Sequence, residues 1–214
     1  MASFEDKLNK ELAMRKKEVS ELYLLVQAEK SENTKKYLLR ALLLMIYAHW
    51  EGFVRISSQK YLQFILKEKP SCESLVPSMK AFYVHSLYIA GKRGSEWDKF
   101  LNAFNHEELL IFDVDVSDQL STQSNLNTKV FKDIVSKIGV SDLDIDLLKG
   151  VLDDGLLASR NAIAHGEMTQ LEFQDVELYK EKILDLLDLY ADLLIENFNS
   201  KSYLCGPKNL SPLK

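Results

Sequence analysis

The strongest constraint on this chain is the stretch from Thr34 to Lys69, which holds no proline and a single glycine, Gly52. Its middle, Leu38 to Phe53, is apolar on most sides of a helical projection and is interrupted by Arg40. A long helix that is apolar nearly all round belongs at the centre of a bundle, wrapped by other helices. Pro70 ends it, because proline lacks a backbone donor and its ring clashes with the preceding turn. The 36 leucines favour helices, and only 8 glycines and 4 prolines in 214 residues disfavour a turn-rich β-sandwich or barrel. The expected fold class is all-α: an up-and-down bundle of long antiparallel helices with a mostly helical insertion.

The flanking segments supply the partners. Phe4, Leu8, Leu12, Val19, Leu22 and Val26 recur mostly at three, four or seven, which predicts an amphipathic helix over 3–30. Its other face is expected to hold Arg15, Lys16 and Lys17. Ser31 to Asn33 offer the N-cap of the central helix. Residues 142–165 read as one helix, with Leu148, Leu152, Leu156 and Ile163 along a stripe and Gly166 as its C-cap. Thr169 followed by Glu172 has the capping-box pattern and opens a last helix. Val176, Tyr179, Ile183, Leu187, Tyr190, Leu194 and Phe198 run along that helix. Beyond Ser200, two prolines and a glycine predict a frayed or loosely docked tail.

Residues 70–141 differ in character and read as an insertion. A short helix from Pro77 to about Ala90, a turn at Gly91–Gly94 and a helix over Ser95–Leu110 are expected first. A polar loop over Ile111–Leu126 follows, then a short helix capped by Asn127 and ended at Gly139. One helical domain over 1–199 is expected, with core segments 1–69 and 142–199 and a tail over 200–214.

Bulk chemistry excludes several classes. Cys72 and Cys205 form no CxxC pair, so a disulfide scaffold and a cysteine-rich zinc site are ruled out. No secretory h-region is visible, and Leu38–Ala48 is too short to cross a bilayer, so a cytoplasmic protein with no membrane association is expected. The net charge of −5 argues against a protein that coats nucleic acid nonspecifically. The charge is uneven, however. Residues 1–69 carry 13 Lys/Arg against 9 Asp/Glu, whereas 70–159 carry 8 against 14 and 160–214 carry 6 against 9. The first two helices are thus a basic element in an acidic chain, although such a run is usually just a solvated face.

One stretch rises above helical packing: Ser159-Arg160-Asn161-Ala162-Ile163-Ala164-His165-Gly166. Asn161 and His165 are four apart and share a helix face, with Arg160 beside them. Ile163, on the apolar stripe, points about 160° away from both. An arginine, an amide and a histidine at a glycine-bounded helix end are unusual for scaffolding.

Arg160-Asn161-x-x-x-His165 resembles the R-polar-x(3–5)-H signature of the HEPN superfamily, helical-bundle proteins that act on RNA. Tyr47-Ala48-His49-Trp50-Glu51-Gly52-Phe53 is similar to the aromatic-Glu-Gly segment in the second helix of one nuclease subgroup. The resemblance covers residues 1–69 and 142–199. It implies a metal-independent endoribonuclease, in a toxin–antitoxin or phage-defence role, that works as a homodimer with a composite active site. It also implies an RNA substrate and leaves room for an antitoxin or defence-system partner. Arg160 and His165 would be the catalytic pair. Histidine can serve as base or acid near neutral pH, and arginine can grip a scissile phosphate with two donors. Asn161 would orient His165 or donate to phosphate. The alternative is a non-catalytic nucleotide-binding, RNA-binding or protein-interaction module on the same bundle.

Glu51 is open to two readings. It can hold His165 or Arg160 from the facing helix, or simply pair with Arg55 one turn along. His49 reads as a structural histidine, and His85 and His106 lack partners at metal-ligand spacing. The Asp113-x-Asp115 and Asp142-x-Asp144-x-Asp146 runs lack the glycine and terminal glutamate of a calcium loop. No GxGxxG, P-loop, GxSxG or HExxH occurs, so no cofactor is expected. Tyr47 or Trp50 would stack a base if exposed.

Overall fold

A computed structural model describes residues 2–92, 98, 101, 111–114, 116, 120–140, 143–167 and 170–205. It is all-α, with six α-helices among the described residues. Helix α1 spans Phe4–Ala28 and α2 spans Glu32–Lys67. Helix α3 spans Pro77–Lys92 and α4 spans Thr128–Lys137. Helix α5 spans Ala158–Ala164 and α6 spans Phe173–Asn199.

The expected caps form. Ser31 accepts from the Thr34 amide ahead of α2, and Asn127 accepts from Val130 ahead of α4. Each such cap satisfies a backbone donor that the helix itself leaves open, worth about 1 kcal/mol. Ser3 and Asp6 add a reciprocal capping box at the start of α1.

Helices α1, α2 and α6 make the core bundle, with α1 antiparallel to α6. Phe4 packs on Phe198 at one end, Lys16 pairs with Asp188 midway, and Tyr23 meets Glu177 and Phe173 at the other end. The Glu177 carboxylate accepting from Tyr23 pushes that phenol up to about 12. Helix α2 is central as expected: Leu42, Leu43, Ile46, Trp50, Phe53, Val54, Tyr61 and Leu62 are all buried. Each large apolar side chain removed from water contributes about 1.5–3 kcal/mol. Tyr190 of α6 sits between Phe53 and Phe131 and shares a buried hydrogen bond with Ser58 Oγ at 2.7 Å. Phe131 also packs on Trp50, so α4 closes over α2.

Four local readings need correction. Arg15 lies on the buried face of α1 with Leu8, Val19 and Val26, not on the solvent face. It occupies a stripe position, and its charge disguised that register. Residues 142–165 are not one α-helix: a 3₁₀ turn at Asp146–Leu148 leads into a π-helical stretch, Gly150–Leu157, before α5. Tyr179 presses against Gly155 so closely that a Cβ there would lie 2.7 Å from its hydroxyl, and the wider helical turn accommodates that approach. The last helix starts at Phe173 with Glu172 as an N-cap that makes no side-chain hydrogen bond, so Glu172 does not lie in the first helical turn as expected; Thr169 lies outside the described residues. Gly91 and Lys92 belong to α3 rather than to a turn, while Arg93, Gly94 and most of 95–110 lie outside the described residues.

The described part of the tail, up to Cys205, docks more firmly than expected. Leu204 forms a bridge with Leu75, Val76 donates to the Tyr203 carbonyl, and the Tyr203 ring is buried against Phe198. No described helix is long and apolar enough to cross a membrane.

Candidate functional site

The segment from Arg160 to His165 lies on α5 and its C-cap, immediately after the π-helical stretch. The helix ends as its glycine predicts. Gly166 adopts φ +79°, and its amide donates to the Ile163 carbonyl while Glu167 donates to Ala162. This paired arrangement is a Schellman cap, whose left-handed conformation is strained for a residue with a Cβ. It fixes His165 as the C-cap of the helix, with its amide bonded to the Asn161 carbonyl. His165 is exposed.

Arg160 turns toward α2. Its guanidinium lies over the Tyr47 ring, 4.8 Å from the centroid, and Nη1 donates to Asn161 Oδ1 at 2.8 Å. Arginine over an aromatic face is attracted by the ring's negative quadrupole. Asn161 therefore holds Arg160 through its carbonyl oxygen, and its Nδ2 donates to Asn125 Oδ1 at 3.4 Å. Among the described residues, Arg160 forms no ion pair.

Tyr47 is 2% exposed. Its hydroxyl accepts from the Leu126 amide at 2.6 Å. Burial, then the Glu51 carboxylate one turn along α2, pushes this phenol up to about 12, so it stays a neutral hydroxyl at working pH. Trp50 is buried as well, so neither aromatic is available to stack a base, which corrects that expectation.

Glu51 makes neither of the contacts considered for it. No ion pair joins it to Arg55, Arg160 or His165 among the described residues. Its Oε1 accepts instead from Thr122 Oγ1 at 2.5 Å, in the loop ahead of α4. The structure thus gathers Arg160, Asn161, Tyr47 and Glu51 on one flank of α2, with His165 at the end of the same short helix as Arg160. Arg40, Tyr47, Glu51 and Arg55 recur at seven, four and four along α2 and share that side. Sequence reasoning missed Tyr47 as a support for Arg160, and missed Thr122 and Asn125 entirely. The four-residue spacing of Tyr47 and Glu51 was a usable signal, whereas the two loop residues offered none.

The other histidine of interest is structural. His49 is buried between α1 and α2, where its Nδ1 lies 3.3 Å from Arg15 Nη1. Its Nε2 lies 3.0 Å from a Glu18 carboxylate oxygen without hydrogen-bond alignment. Burial, then the Arg15 charge, lowers its pKa, so the ring is neutral and Nδ1 accepts. His85 is exposed on α3, and His106 lies outside the described residues. No three His, Cys, Asp or Glu side chains gather as a metal site among the described residues.

Comparisons with known proteins agree with this architecture. Searches of curated proteins and of solved structures found no match. The model of the MAE_28990-like HEPN family matches residues 4–203, from the first residue of α1 to the Tyr203 that packs on Phe198. The chain belongs to the MAE_28990-like HEPN family.

Proposed function

We propose that this HEPN protein is an endoribonuclease that cleaves RNA by attack of the substrate's own 2′-hydroxyl, without a metal ion. The observation that carries the reading is Arg160: a half-buried guanidinium held over a ring and oriented by Asn161, with no carboxylate neutralising it among the described residues. A cation kept in place and left unpaired suits an anionic ligand. Arg160 would grip the scissile phosphate and stabilise the charge that builds on it. His165 would take the 2′-OH proton or supply one to the departing 5′-oxygen. The products are then a 2′,3′-cyclic phosphate and a 5′-hydroxyl. Asn161 positions Arg160, and Glu51 lies behind Tyr47.

Cleavage needs two proton transfers and each chain offers one arginine and one histidine, which favours a homodimer in which two copies face one cleft and double both. The α2 surface supports this reading, since Tyr37, Ala41 and Ala48 are exposed at four- and seven-residue spacing near the Tyr47 flank. Sedimentation at micromolar concentration should show a dimer, and a strict monomer argues against the composite site. A toxin–antitoxin or phage-defence setting, with an antitoxin or defence partner, fits an RNA-cutting enzyme that must be restrained. Its location is then the cytoplasm, where its substrate is.

The test is an RNA-cleavage assay on purified wild type, Arg160→Ala and His165→Ala. The His165 variant should lose about 10²–10⁴ in rate. Cleavage by His165→Ala as fast as wild type overturns the mechanism. If all three bind RNA equally and none cuts, the chain is a binding module.

A further inference from the structure

The loop ahead of α4 touches the Arg160 site more often than a passive connection would. Within eight residues, Thr122 donates to Glu51, the Leu126 amide donates to the Tyr47 hydroxyl, and Asn125 accepts from Asn161. Two of these side chains, Tyr47 and Asn161, touch the Arg160 guanidinium, and Glu51 flanks Tyr47. The loop's ends are anchored, because Leu120, Thr122 and Leu126 are buried. Just beyond it, the Thr128 amide and hydroxyl donate to the two carboxylate oxygens of Asp153, at 2.9 and 2.7 Å. Asp153 lies in the π-helical stretch that leads into α5, so the loop grips both sides of the site. Its tip holds two successive non-glycine residues in the left-handed region, Gln123 at φ 56° and Ser124 at φ 52°. Such a conformation persists only where the surrounding contacts impose it.

We propose that residues 120–127 are a positioning clamp for Arg160, and that Tyr47 is the positioning residue through which the clamp acts. The Leu126 amide and the flanking Glu51 fix the Tyr47 hydroxyl, the fixed ring seats the guanidinium, and Asn125 holds Asn161 from the far side. The neutral phenol keeps this geometry unchanged across working pH. The clamp rests on the reading of Arg160 as the phosphate-binding group, but its geometry can be tested without any cleavage.

Tyr47→Phe keeps the ring and removes the acceptor. Hydrogen exchange at the Leu126 amide should accelerate at least tenfold, while amides of Phe53 and Val54 stay protected. In wild type, NMR signals of the Arg160 side chain should be shifted upfield by the Tyr47 ring. Tyr47→Leu should return them toward free-arginine values, and if that variant does not fold, the wild-type shift alone decides. Unshifted Arg160 signals in wild type, or unchanged Leu126 exchange in Tyr47→Phe, overturn the clamp. On RNA, Thr122→Val should lower kcat several-fold with KM within twofold, and an equal loss through KM alone counts against positioning. If wild type cuts no RNA, the nuclease reading fails while the exchange and NMR measurements still decide the clamp.

Discussion

Arg15 and Arg160 place their guanidiniums over two rings of the same helix, Phe53 at 6.0 Å and Tyr47 at 4.8 Å. Those rings are six residues apart on α2 and so face different flanks. The similarity ends there. Arg15 is 6% exposed and enclosed by the Glu11 carboxylate at 3.3 Å and His49 Nδ1 at 3.3 Å, with Glu11 also held by Lys60. Gly52 leaves the space its guanidinium fills. Arg160 has an amide for its polar partner and is half-buried. One charge is consumed by the fold, and the other is presented by it. The lesson is that a ring beneath an arginine says little about its purpose, whereas the counter-charge beside it says much.

The largest effect should separate the two residues by activity. Arg160→Ala should reduce RNA cleavage by about 10²–10³, the loss typical of removing one transition-state donor. Its folding stability should fall by about 1 kcal/mol or less, the worth of one cation–ring contact. Comparing kcat/KM with urea unfolding of the same preparation checks both halves. A stability loss as large as that of an Arg15 variant would erase the distinction.

Arg15→Ala should do the reverse. Removing one member of a buried charged cluster strands its partners and costs about 3 kcal/mol. Cleavage per folded molecule should stay within about twofold, because no Arg15 contact reaches α5. Arg15→Met sharpens the point: an apolar side chain of similar reach refills the space beside Gly52 but strands Glu11 and His49 as alanine does, so it should recover only the packing part of the loss. Chemical denaturation of the three proteins at pH 7 gives the comparison.

Acid should loosen the Arg15 flank before it affects anything in Arg160's grip. His49 has a lowered pKa in the folded state, against an ordinary value of 6.5. Below 6.5 the unfolded chain takes up the proton first, so the stability of neutral His49 is whole above that value. It is lost as pH falls through the folded pKa. The urea midpoint should therefore drop between pH 7.5 and 5.5. In His49→Gln, whose carbonyl can still accept from Arg15, the drop should be smaller. Equal drops in both proteins would mean that another group governs the transition.

How much of this was legible beforehand follows from where each signal resides. The long helices α1, α2 and α6 are written in local apolar periodicity, and Pro70, Ser31, Asn127 and Gly166 mark ends that depend on backbone chemistry alone. The Arg160–Asn161–His165 trio was visible because it broke the bundle's pattern. Arg15 was misread because its stripe position and its charge pointed opposite ways, and only the Glu11, His49 and Gly52 surroundings resolve that conflict. The π-helical stretch depends on Tyr179 approaching Gly155 from another helix. Thr122 meets Glu51 across 71 residues, a pairing that a single sequence does not encode locally.

The smallest effect concerns the glycines that serve the two flanks in different ways. Gly52 provides volume, since a Cβ there would lie 2.9 Å from Arg15 Nη1. Gly166 provides conformation: at φ +79° a methyl group added there would meet no heavy atom within 4 Å, so the cost of adding one is backbone strain alone. Gly166→Ala should therefore cost only about 1 kcal/mol, and Gly166→Asn less, because asparagine tolerates the left-handed region. Both variants disturb the motif that fixes His165 as the C-cap of α5, so cleavage should fall more in the alanine variant than in the asparagine one. A thermal melt and a single-turnover rate on each protein measure the two effects. If alanine and asparagine behave alike, the cap does not hold His165 in place, and its contribution to the site comes from α5 alone.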